Sequence, residues 1–326
     1  MKNYKISVIM ATYNSAHYLP NSLDSLLLQT VDDFETIVVD DASTDNTEQV
    51  VVRYRSLFGQ RLKYVKLNRR VGRGGVRNFG LARSTSPYIA FLDADDVYCG
   101  RKLEVQSNYL DEHPMVGGVS CQCYTANAAL EVQGVLTGKE STLKMLLGSH
   151  YAYFVESTVA VMYRRELINE VGEFDDTIER GQDLDLLIRA ARRRQIDFIR
   201  EPLWIYRLHG TNSGSMQGLS ERTYSNIVLY RKIIASEHPC RAGAAKRYAA
   251  ANLKSHVYRI RERKYGYSVR VWFLYLSKMN LDLPLIEWSL LGVKVLVGYR
   301  LTQSAKRLIG FVNVMAARTK RLRLTC

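Results

Sequence analysis

The stretch YIAFLDADD (88–96) places three carboxylates within four residues, directly after a run of apolar residues. A short apolar run of this kind is typical of a buried strand, and the turn that follows a strand rarely needs more than one acid. Asp93, Asp95 and Asp96 repel one another unless a cation or a basic group lies between them. The stretch therefore predicts a buried strand whose carboxyl end attracts a positive partner.

Apolar, β-branched runs in the first 100 residues predict four strands that are buried on both faces: KISVIMA (5–11), FETIVVD (34–40), LKYVKL (62–67) and YIAFLD (88–93). Segments with helical spacing lie between them, at 17–29, 44–58 and 74–84. This alternation predicts an α/β fold with right-handed crossovers and a mostly parallel, Rossmann-like central sheet flanked by helices. Such sheets bind ligands at the carboxyl ends of their strands.

Later segments continue the mixture of helices and strands. Helices are predicted at 101–113, around 139–147, at 165–171 and at 182–194, and strands at 116–126, at 157–164, near 196–199 and at 203–208. From about residue 219 to the end the pattern is helical throughout. The Gly/Ser-rich loop 209–218 marks the boundary, which gives a first domain at 1–218, with halves at about 1–100 and 101–218, and a C-terminal helical extension at 219–326.

The net charge of +14 is carried by the end of the chain. Residues 241–326 contain 18 of the 46 Lys and Arg but 3 of the 32 Asp and Glu, so their net charge is +15 and the rest carries −1. Apolar stretches such as VWFLYL (271–276) alternate there with basic groups such as RTKRLR (318–323). This alternation favours an anionic membrane surface over nucleic acid, so no nucleic-acid partner is expected. Packing of these helices on the first domain is the alternative.

The cysteines and the N-terminus indicate a cytoplasmic protein. Five cysteines with no matching His pair fit neither a disulfide framework nor a zinc site, so we expect reduced thiols. The start MKNYKISVIMATYN (1–14) lacks the apolar region and cleavage site of a signal peptide. The most apolar C-terminal stretch, 284–299, is interrupted by Glu287 and Lys294 and is shorter than the roughly 20 residues of a bilayer span.

Two acidic clusters lie at predicted strand ends. In DADD, Asp93 and Asp95 suit a hard cation such as Mg²⁺ or Mn²⁺, which would neutralise a diphosphate; a solvated turn is the alternative. In VVDDASTDNT (38–47), Asp40 and Asp41 are adjacent and have no basic neighbour. They suit a base N–H or a ribose hydroxyl better than a solvated turn, although Asp40 can also simply end its strand.

The segment NRRVGRGGVRNFG (68–80) supplies positive charge. Its glycines free backbone N–H groups, and the positive end of the following helix attracts anions, so the segment can cradle a phosphate. The spacing matches neither the dinucleotide fingerprint nor the P-loop, which makes the glycines alone a weak signal. Arg77 and Asn78 fall in the first turns of the helix, near the acids of the neighbouring strands, unless Arg77 is simply exposed.

Polar residues of the later segments add two candidates. Asp183 and Asp185 fall in the first turn of a helix, where acids stabilise the helix dipole without a catalytic role. We keep that role for Asp185, whereas Asp183 can point across a cleft and accept a proton. His209 is either an ordinary loop residue or a group that folds over the sheet edge and meets diphosphate or metal.

Six signatures together resemble those of the family 2 glycosyltransferases, which have the GT-A fold, and the likeness covers residues 4–215. The family's T-Y-N, D-D-G-S-T-D, N-x-G-x-x-x-A-R-N-x-G, D-x-D-D, E-D-x-D-L and Y-R-x-H-x-x-N-x-S correspond in order to TYN (12–14), DDASTD (40–45), NRRVGRGGVRNFG (68–80), DADD (93–96), QDLDL (182–186) and YRLHGTNSGS (206–215). Three residues depart from the family pattern: Ala42 replaces Gly, Val76 replaces Ala and Gln182 replaces Glu. Gln182 removes one acid beside Asp183, which puts a second carboxylate role in doubt.

The resemblance implies a site for a nucleoside-diphosphate sugar. It assigns the nucleotide contacts to Thr12, Tyr13, Asn14, Asp40, Asp41, Arg77 and Asp93. It assigns a divalent cation, Mn²⁺ or Mg²⁺, to Asp93, Asp95 and His209. It makes Asp183 the general base of a single displacement with inversion, in which an acceptor hydroxyl is deprotonated as it attacks.

The implied partners follow from the same resemblance. The expected donor is a UDP-sugar, by family frequency alone, and the expected acceptor is a saccharide or lipid-linked saccharide of surface polysaccharide biosynthesis. That acceptor would place the protein at the inner face of the cell membrane. Two other classes stay open. One is a sugar-phosphate nucleotidyltransferase, although MATYNSAHYLP (10–20) lacks its Gly-rich loop; the other is a non-catalytic basic protein that binds membrane or nucleic acid.

Overall fold

The computed structural model describes residues 3–138, 157–178 and 181–210, together with Leu229 and Lys232. The predicted helix around 139–147 lies outside these residues. So does the C-terminal region at 219–326, apart from Leu229 and Lys232. The proposed boundary at 218 and the halves of the first domain therefore remain predictions.

The first part of the chain alternates strands and helices as predicted. Its elements are β1 (Ile6–Thr12), α1 (Leu19–Leu27), β2 (Phe34–Asp40), α2 (Thr47–Phe58), β3 (Leu62–Lys66), α3 (Gly72–Arg83) and β4 (Tyr88–Asp93). Every residue of β2 is buried, and β1 and β4 each have a single residue that is only partly buried. The continuous apolar runs in the sequence reflect this burial, because helices cover both faces of a parallel sheet.

The second part differs more from the prediction. Its elements are β5 (Val97–Tyr98), α4 (Lys102–Glu112), β6 (Gly118–Ala126), β7 (Val132–Leu136), β8 (Met162–Arg164), α5 (Arg165–Val171), α6 (Gln182–Arg193) and β9 (Ile196–Arg207). The predicted strand at 157–164 is confined to β8, because Thr158–Ala160 form a 3₁₀ turn. The two short strands predicted near 196–199 and at 203–208 are one strand, β9. Its pairing with β6 becomes irregular around Gln122, where Pro202 interrupts the apolar pattern.

The strands form one mixed sheet in the order β3-β2-β1-β4-β8-β6-β9-β5, with β7 paired to β6. The pairs among β1, β2, β3 and β4 are parallel, whereas β8 runs antiparallel to both β4 and β6. The chain runs outward to β3 on one side of β1 and then crosses to β4 on the other. Ligands of α/β sheets bind at such a reversal. Thr12 pairs with Asp40 and Ala11 pairs with Asp93, so the acidic strand ends flank β1.

Helix α3 packs closely on this part of the sheet. A Cβ atom at Gly80 would lie 2.3 Å from Ile9 Cγ2, so only glycine allows this approach. Val76, which replaces the family's Ala, is buried and packs with Ile37 and Val39 of β2. The close contact fixes the N-terminal turns of α3, and with them Arg77, beside the ends of β1 and β4.

Membrane spans and thiols can be assessed in the described residues alone. Within ranges 3–138, 157–178 and 181–210, no helix is both long enough and apolar enough to cross a bilayer. In the same part of the chain Cys99, Cys121 and Cys123 are free thiols.

The side chain of Lys102 is enclosed in the core. It is fully buried, it donates a hydrogen bond to Gln106 Oε1, and its Nζ lies 4.6 Å from the centre of the Tyr98 ring. Burial disfavours the charged form, which lowers the pKa of Lys102 from 10.5 to about 8.

This pKa predicts how stability depends on pH. Between about pH 8 and pH 10.5 the unfolded chain binds more protons at Lys102 than the folded chain, so folding becomes more favourable as pH rises through that window. We expect the stability of the wild type relative to Lys102→Met to increase by about 2 kcal/mol between pH 7.5 and pH 10. Urea denaturation of both proteins at each pH measures this difference, and a constant difference would contradict the assignment.

Candidate functional site

The loops that follow β1 and β2 are locked together by hydrogen bonds. Asp41 N donates to Thr12 O at 2.9 Å. Asn14 N donates to Ser43 Oγ at 2.8 Å, and Asn14 Oδ1 accepts from Thr44 N at 2.8 Å. Asn14 has a φ of 47°, a left-handed conformation that asparagine tolerates better than most residues. Asn14 therefore shapes the loop through contacts within the protein.

Asp40 is also engaged by the protein itself. Its side chain is fully buried, Oδ1 accepts from Ser43 N at 2.8 Å, and Oδ2 accepts from Tyr64 Oη at 2.7 Å. Burial, followed by the hydrogen bond to Asp40, raises the pKa of Tyr64, so Tyr64 remains a donor. Between these contacts Ala42 has a φ of 60°, where glycine is less strained; this explains why the family pattern has Gly there.

Asp41 joins the end of β2 to the start of α3. Its Oδ1 accepts from Val71 N at 2.7 Å and its Oδ2 accepts from Gly72 N at 3.1 Å. An acid at the positive end of a helix is favourable. The backbone N–H groups predicted to cradle a phosphate lie in this loop. Two of them, those of Val71 and Gly72, already donate to Asp41.

Asp93, Asp95 and Asp96 form the acidic cluster at the end of β4, with one carboxylate oxygen from each within 4.8 Å of the others. Asp93 and Asp95 are partly exposed, with side-chain exposures of 37% and 31%. Asp96 is buried, and its Oδ1 accepts from Arg207 N at 3.0 Å. Burial and then the neighbouring carboxylates raise the pKa of both Asp95 and Asp96. The cluster therefore carries a repulsion that a divalent cation would relieve.

His209 reaches this cluster, which is the second of the two alternatives that the sequence left open for it. Its Nε2 lies 3.0 Å from Asp95 Oδ2, and its side chain is 6% exposed. The imidazole ring stacks on Tyr18 with the ring centres 4.5 Å apart. Tyr18 follows β1 and carried no signal in the sequence, so its role in orienting His209 emerges only from the fold.

The donor set fits a divalent cation. Asp93 and Asp95 offer the carboxylate oxygens that Mn²⁺ and Mg²⁺ prefer, and His209 beside Asp95 adds an imidazole nitrogen. Asp96 belongs to the same group of oxygens but is buried and bonded to the backbone of β9. It is suited to holding the cluster together.

Arg77 connects the acidic cluster to Asp183. Its Nη2 donates to Asp93 Oδ1 at 2.6 Å, while its buried Nη1 has no hydrogen-bond partner in the described chain. Burial raises the pKa of Asp183, the charge of Arg77 lowers it, and Asp93 raises it again. These effects require all three groups to be near one another. Asp183 and the acids at the end of β4 therefore belong to one charged site.

Helix α6 begins at this site. Gly181 precedes it with a φ of 88°, a left-handed turn that suits glycine. Asp185 is tied into the protein, because it accepts from Arg189 Nε at 2.8 Å and pairs with Lys232 Nζ at 2.9 Å. Gln182 is buried, and its Oε1 has no hydrogen-bond partner in the described chain. Of the two acids in this turn, Asp185 is held by Arg189 and Lys232, which leaves Asp183 to act on a ligand.

Asn78 fastens the approach to α6 onto α3. Its Nδ2 donates to Phe174 O and its Oδ1 accepts from Phe174 N, both at 2.9 Å. The Phe174 ring packs edge-on against Phe91 of β4, with the centres 5.2 Å apart, and lies 5.6 Å from Arg77 Cζ. Sequence reasoning placed Asn78 near the acids but missed this contact, because its partner is distant in the chain.

Removing this clamp should loosen the segment that leads to Asp183. We expect Asn78→Ala to destabilise the protein by about 1–3 kcal/mol and to accelerate amide hydrogen exchange at Glu173–Ile178. The matched control is Asn108→Ala, since Asn108 is also in a helix but is exposed. Equal exchange rates in the two variants would show that Asn78 does not hold the segment.

Comparison with known proteins identifies the family. The family model described as glycosyl transferase family 2 matches residues 7–172, about half of the chain. An uncharacterized glycosyltransferase of Nostoc sp. is 32% identical over 214 residues, which are 64% of this chain and 66% of that protein. The UDP-Glc:alpha-D-GlcNAc-diphosphoundecaprenol beta-1,3-glucosyltransferase WfgD of Escherichia coli is 38% identical over 106 residues, 32% of this chain and 41% of that protein. The chain thus spans less than two thirds of these relatives.

Solved structures show the same fold. S. aureus TarS 1–349 in complex with UDP has a TM-score of 0.60 at 24% identity, covering 80% of this chain and 74% of that one. The mannosyltransferase PcManGT from Pyrobaculum calidifontis, in complex with GDP-Man and Mn²⁺, has a TM-score of 0.58 at 17% identity, covering 98% and 87%. The expected GT-A fold is confirmed by this similarity, and the family model settles the identity: this chain belongs to glycosyltransferase family 2.

Proposed function

We propose that the protein is an inverting glycosyltransferase that moves a sugar from a nucleoside-diphosphate sugar, with UDP as the carrier, to a saccharide or lipid-linked saccharide acceptor. The position of Arg77 carries this proposal. It bonds to Asp93 at the end of β4 and acts electrostatically on Asp183 at the start of α6. A displacement at a sugar carbon needs an acid cluster for the diphosphate and a separate acid for the acceptor, and Arg77 interacts with both.

The nucleotide would lie along the ends of β1, β2 and β4. Tyr13 is exposed at the end of β1 and is suited to stack on the base. Thr12 Oγ1 and Arg77 Nη1 are buried polar atoms without hydrogen-bond partners in the described chain, and we assign them, together with Asp93, to the nucleotide. We assign Asp40, Asp41 and Asn14 a positioning role, in place of the direct contacts implied by the resemblance, because their oxygens already bond to the protein.

The cation would be held by Asp93, Asp95 and His209. A bound Mn²⁺ or Mg²⁺ would neutralise charge on the diphosphate and on the departing nucleotide. The chain itself contributes the arrangement of these ligands. Asp96 anchors the turn through Arg207 N, and Tyr18 fixes the plane of the His209 ring.

Asp183 would act as the general base. Its carboxylate removes the proton of the acceptor hydroxyl while that oxygen forms a bond to the anomeric carbon of the donor sugar. The bond from that carbon to the phosphate oxygen breaks, and the nucleoside diphosphate leaves with the electron pair. Because attack and departure take place on opposite faces of the sugar, the anomeric centre is inverted. This agrees with a base at the start of α6 and a diphosphate site at the end of β4. Burial raises the pKa of Asp183, which strengthens it as a base.

The relatives support the choice of partners. WfgD is named for a UDP-linked glucose donor and a diphosphoundecaprenol-linked acceptor, and a Bacillus subtilis relative is named a minor teichoic acid biosynthesis protein, GgaB. We infer an acceptor of the same class for this chain, in surface polysaccharide biosynthesis at the inner face of the cell membrane. Family membership favours sugar transfer over nucleotidyl transfer or a purely binding role.

A donor screen tests the proposal. The protein is incubated with UDP-, GDP- and other nucleotide sugars, Mn²⁺ and candidate acceptors, and the product linkage is determined by NMR. We expect transfer from one donor with inversion, slow hydrolysis of that donor without acceptor, and a rise in the melting temperature with UDP. Absence of both hydrolysis and any nucleotide-dependent change in melting temperature would overturn it.

A further inference from the structure

A guanidinium group covers the ring of Tyr13. Arg70 Cζ lies 3.9 Å from the centre of that ring, and Arg70 Nε lies 3.7 Å from Asp41 Oδ2. The Arg70 side chain is nevertheless 61% exposed, and the Tyr13 residue is 38% exposed. Two planar groups at this separation are already in van der Waals contact, so no third ring fits between them as they stand.

The side chain of Arg70 can move without disturbing the backbone beside it. The next two amides, Val71 N and Gly72 N, donate to Asp41 at 2.7 Å and 3.1 Å, which anchors the loop to the end of β2. The contacts of the side chain itself are weak by comparison. The cation–π contact is made by an exposed guanidinium, and its ion pair with the buried Asp41 is 3.7 Å long, beyond hydrogen-bond distance, so each contributes little. Stacking of a base on an aromatic ring is stronger.

We propose that Arg70 is a movable lid of the nucleobase position. This rests on the proposed function. The base of the donor displaces the guanidinium from Tyr13, and Arg70 then stacks on the outer face of the base. The base is thereby enclosed between a phenol ring and a guanidinium plane. Arg70 is suited to this role because its planar group stacks on aromatic faces, which a lysine ammonium does not reproduce.

The test separates stacking from charge. Isothermal titration calorimetry with Mg²⁺ measures the binding of UDP and of inorganic pyrophosphate to the wild type and to three variants. We expect Arg70→Ala and Arg70→Lys each to weaken UDP binding by about tenfold and to leave pyrophosphate binding unchanged. Arg69→Ala removes the same charge from the exposed neighbouring residue and is expected to bind both ligands as the wild type does.

Each other result overturns the lid. UDP binding by Arg70→Ala that is equal to or tighter than that of the wild type would make Arg70 a bystander or a competitor of the base. Full UDP affinity in Arg70→Lys, or an equal loss of pyrophosphate binding, would make Arg70 a simple point charge. If the wild type binds pyrophosphate but no nucleotide, the proposed function fails together with the lid. If the wild type binds UDP and substitution of Arg70 does not change the affinity, only the lid is overturned.

Discussion

Asp183→Asn is expected to lower kcat by about 10²–10⁴, the range that a positioned general base contributes, while the Kd for UDP stays unchanged. The substitution keeps the size of the side chain but removes its basicity, so the acceptor hydroxyl loses its proton acceptor. Steady-state kinetics and calorimetric titration with UDP measure the two quantities separately. Because burial already disfavours the charged form of Asp183, the amide should not destabilise the fold.

The control for this variant is Asp176→Asn. Asp176 is an exposed acid on the same approach to α6, and its neutralisation should leave kcat near the wild-type value. Loss of UDP binding together with transfer in Asp183→Asn would contradict the assignment, because the base lies on the acceptor side and should not hold the nucleotide.

The pH dependence of the wild type provides a second measure of the same role. Asp183 must be ionised to accept a proton, and burial raises its pKa above 3.8. The value of kcat/KM is therefore expected to fall as pH decreases, with a midpoint above 3.8. This acidic limb should disappear in Asp183→Asn. A limb that persists unchanged in the variant would assign it to another group.

The parts of the fold that sequence predicts well are those with one dominant physical cause. Strands β1, β2 and β4 are buried on both faces, so their apolar runs coincide with their bounds to within about one residue. Strand β7 was missed because four of its five residues are exposed, which leaves no periodic pattern. The 3₁₀ turn before β8 depends on Ser157 Oγ, which accepts from Val159 N at 3.2 Å, a local contact that an apolar run conceals.

The site, like the fold, has features that the sequence predicts and features that it does not. That acids at the ends of β2 and β4 lie near one another is predictable, because parallel strands end at one edge of a sheet. Which acid is left without a partner in the protein is not predictable, since it depends on contacts with distant residues. Asp40 and Asp41 are adjacent residues of the same type, yet Tyr64 from β3 donates a hydrogen bond to Asp40 and the start of α3 donates to Asp41. Asp95 and Asp96 differ similarly, because Arg207 of β9 binds Asp96.

Asp95→Ala is expected to abolish the Mn²⁺-dependent part of donor binding. Asp95 is one of two partly exposed carboxylates of the cluster and also pairs with His209, so the variant loses one ligand and the orientation of another. Loss of groups that merely orient a ligand already weakens metal binding by about 10- to 100-fold, and loss of a ligand should exceed this. Titration of Mn²⁺ by electron paramagnetic resonance measures binding directly, and calorimetry with UDP, with and without Mn²⁺, measures the coupling.

Stability distinguishes loss of the metal site from loss of the fold in this variant. Desolvation and repulsion by Asp93 raise the pKa of the partly exposed Asp95, so alanine relieves repulsion and the melting temperature should not fall in proportion to the lost affinity. Asp33→Ala, which removes an exposed acid before β2, should bind Mn²⁺ and UDP as the wild type does. If Asp95→Ala retained Mn²⁺-dependent UDP binding, the cation would have to be held elsewhere, and the cluster at the end of β4 would lose its assigned role.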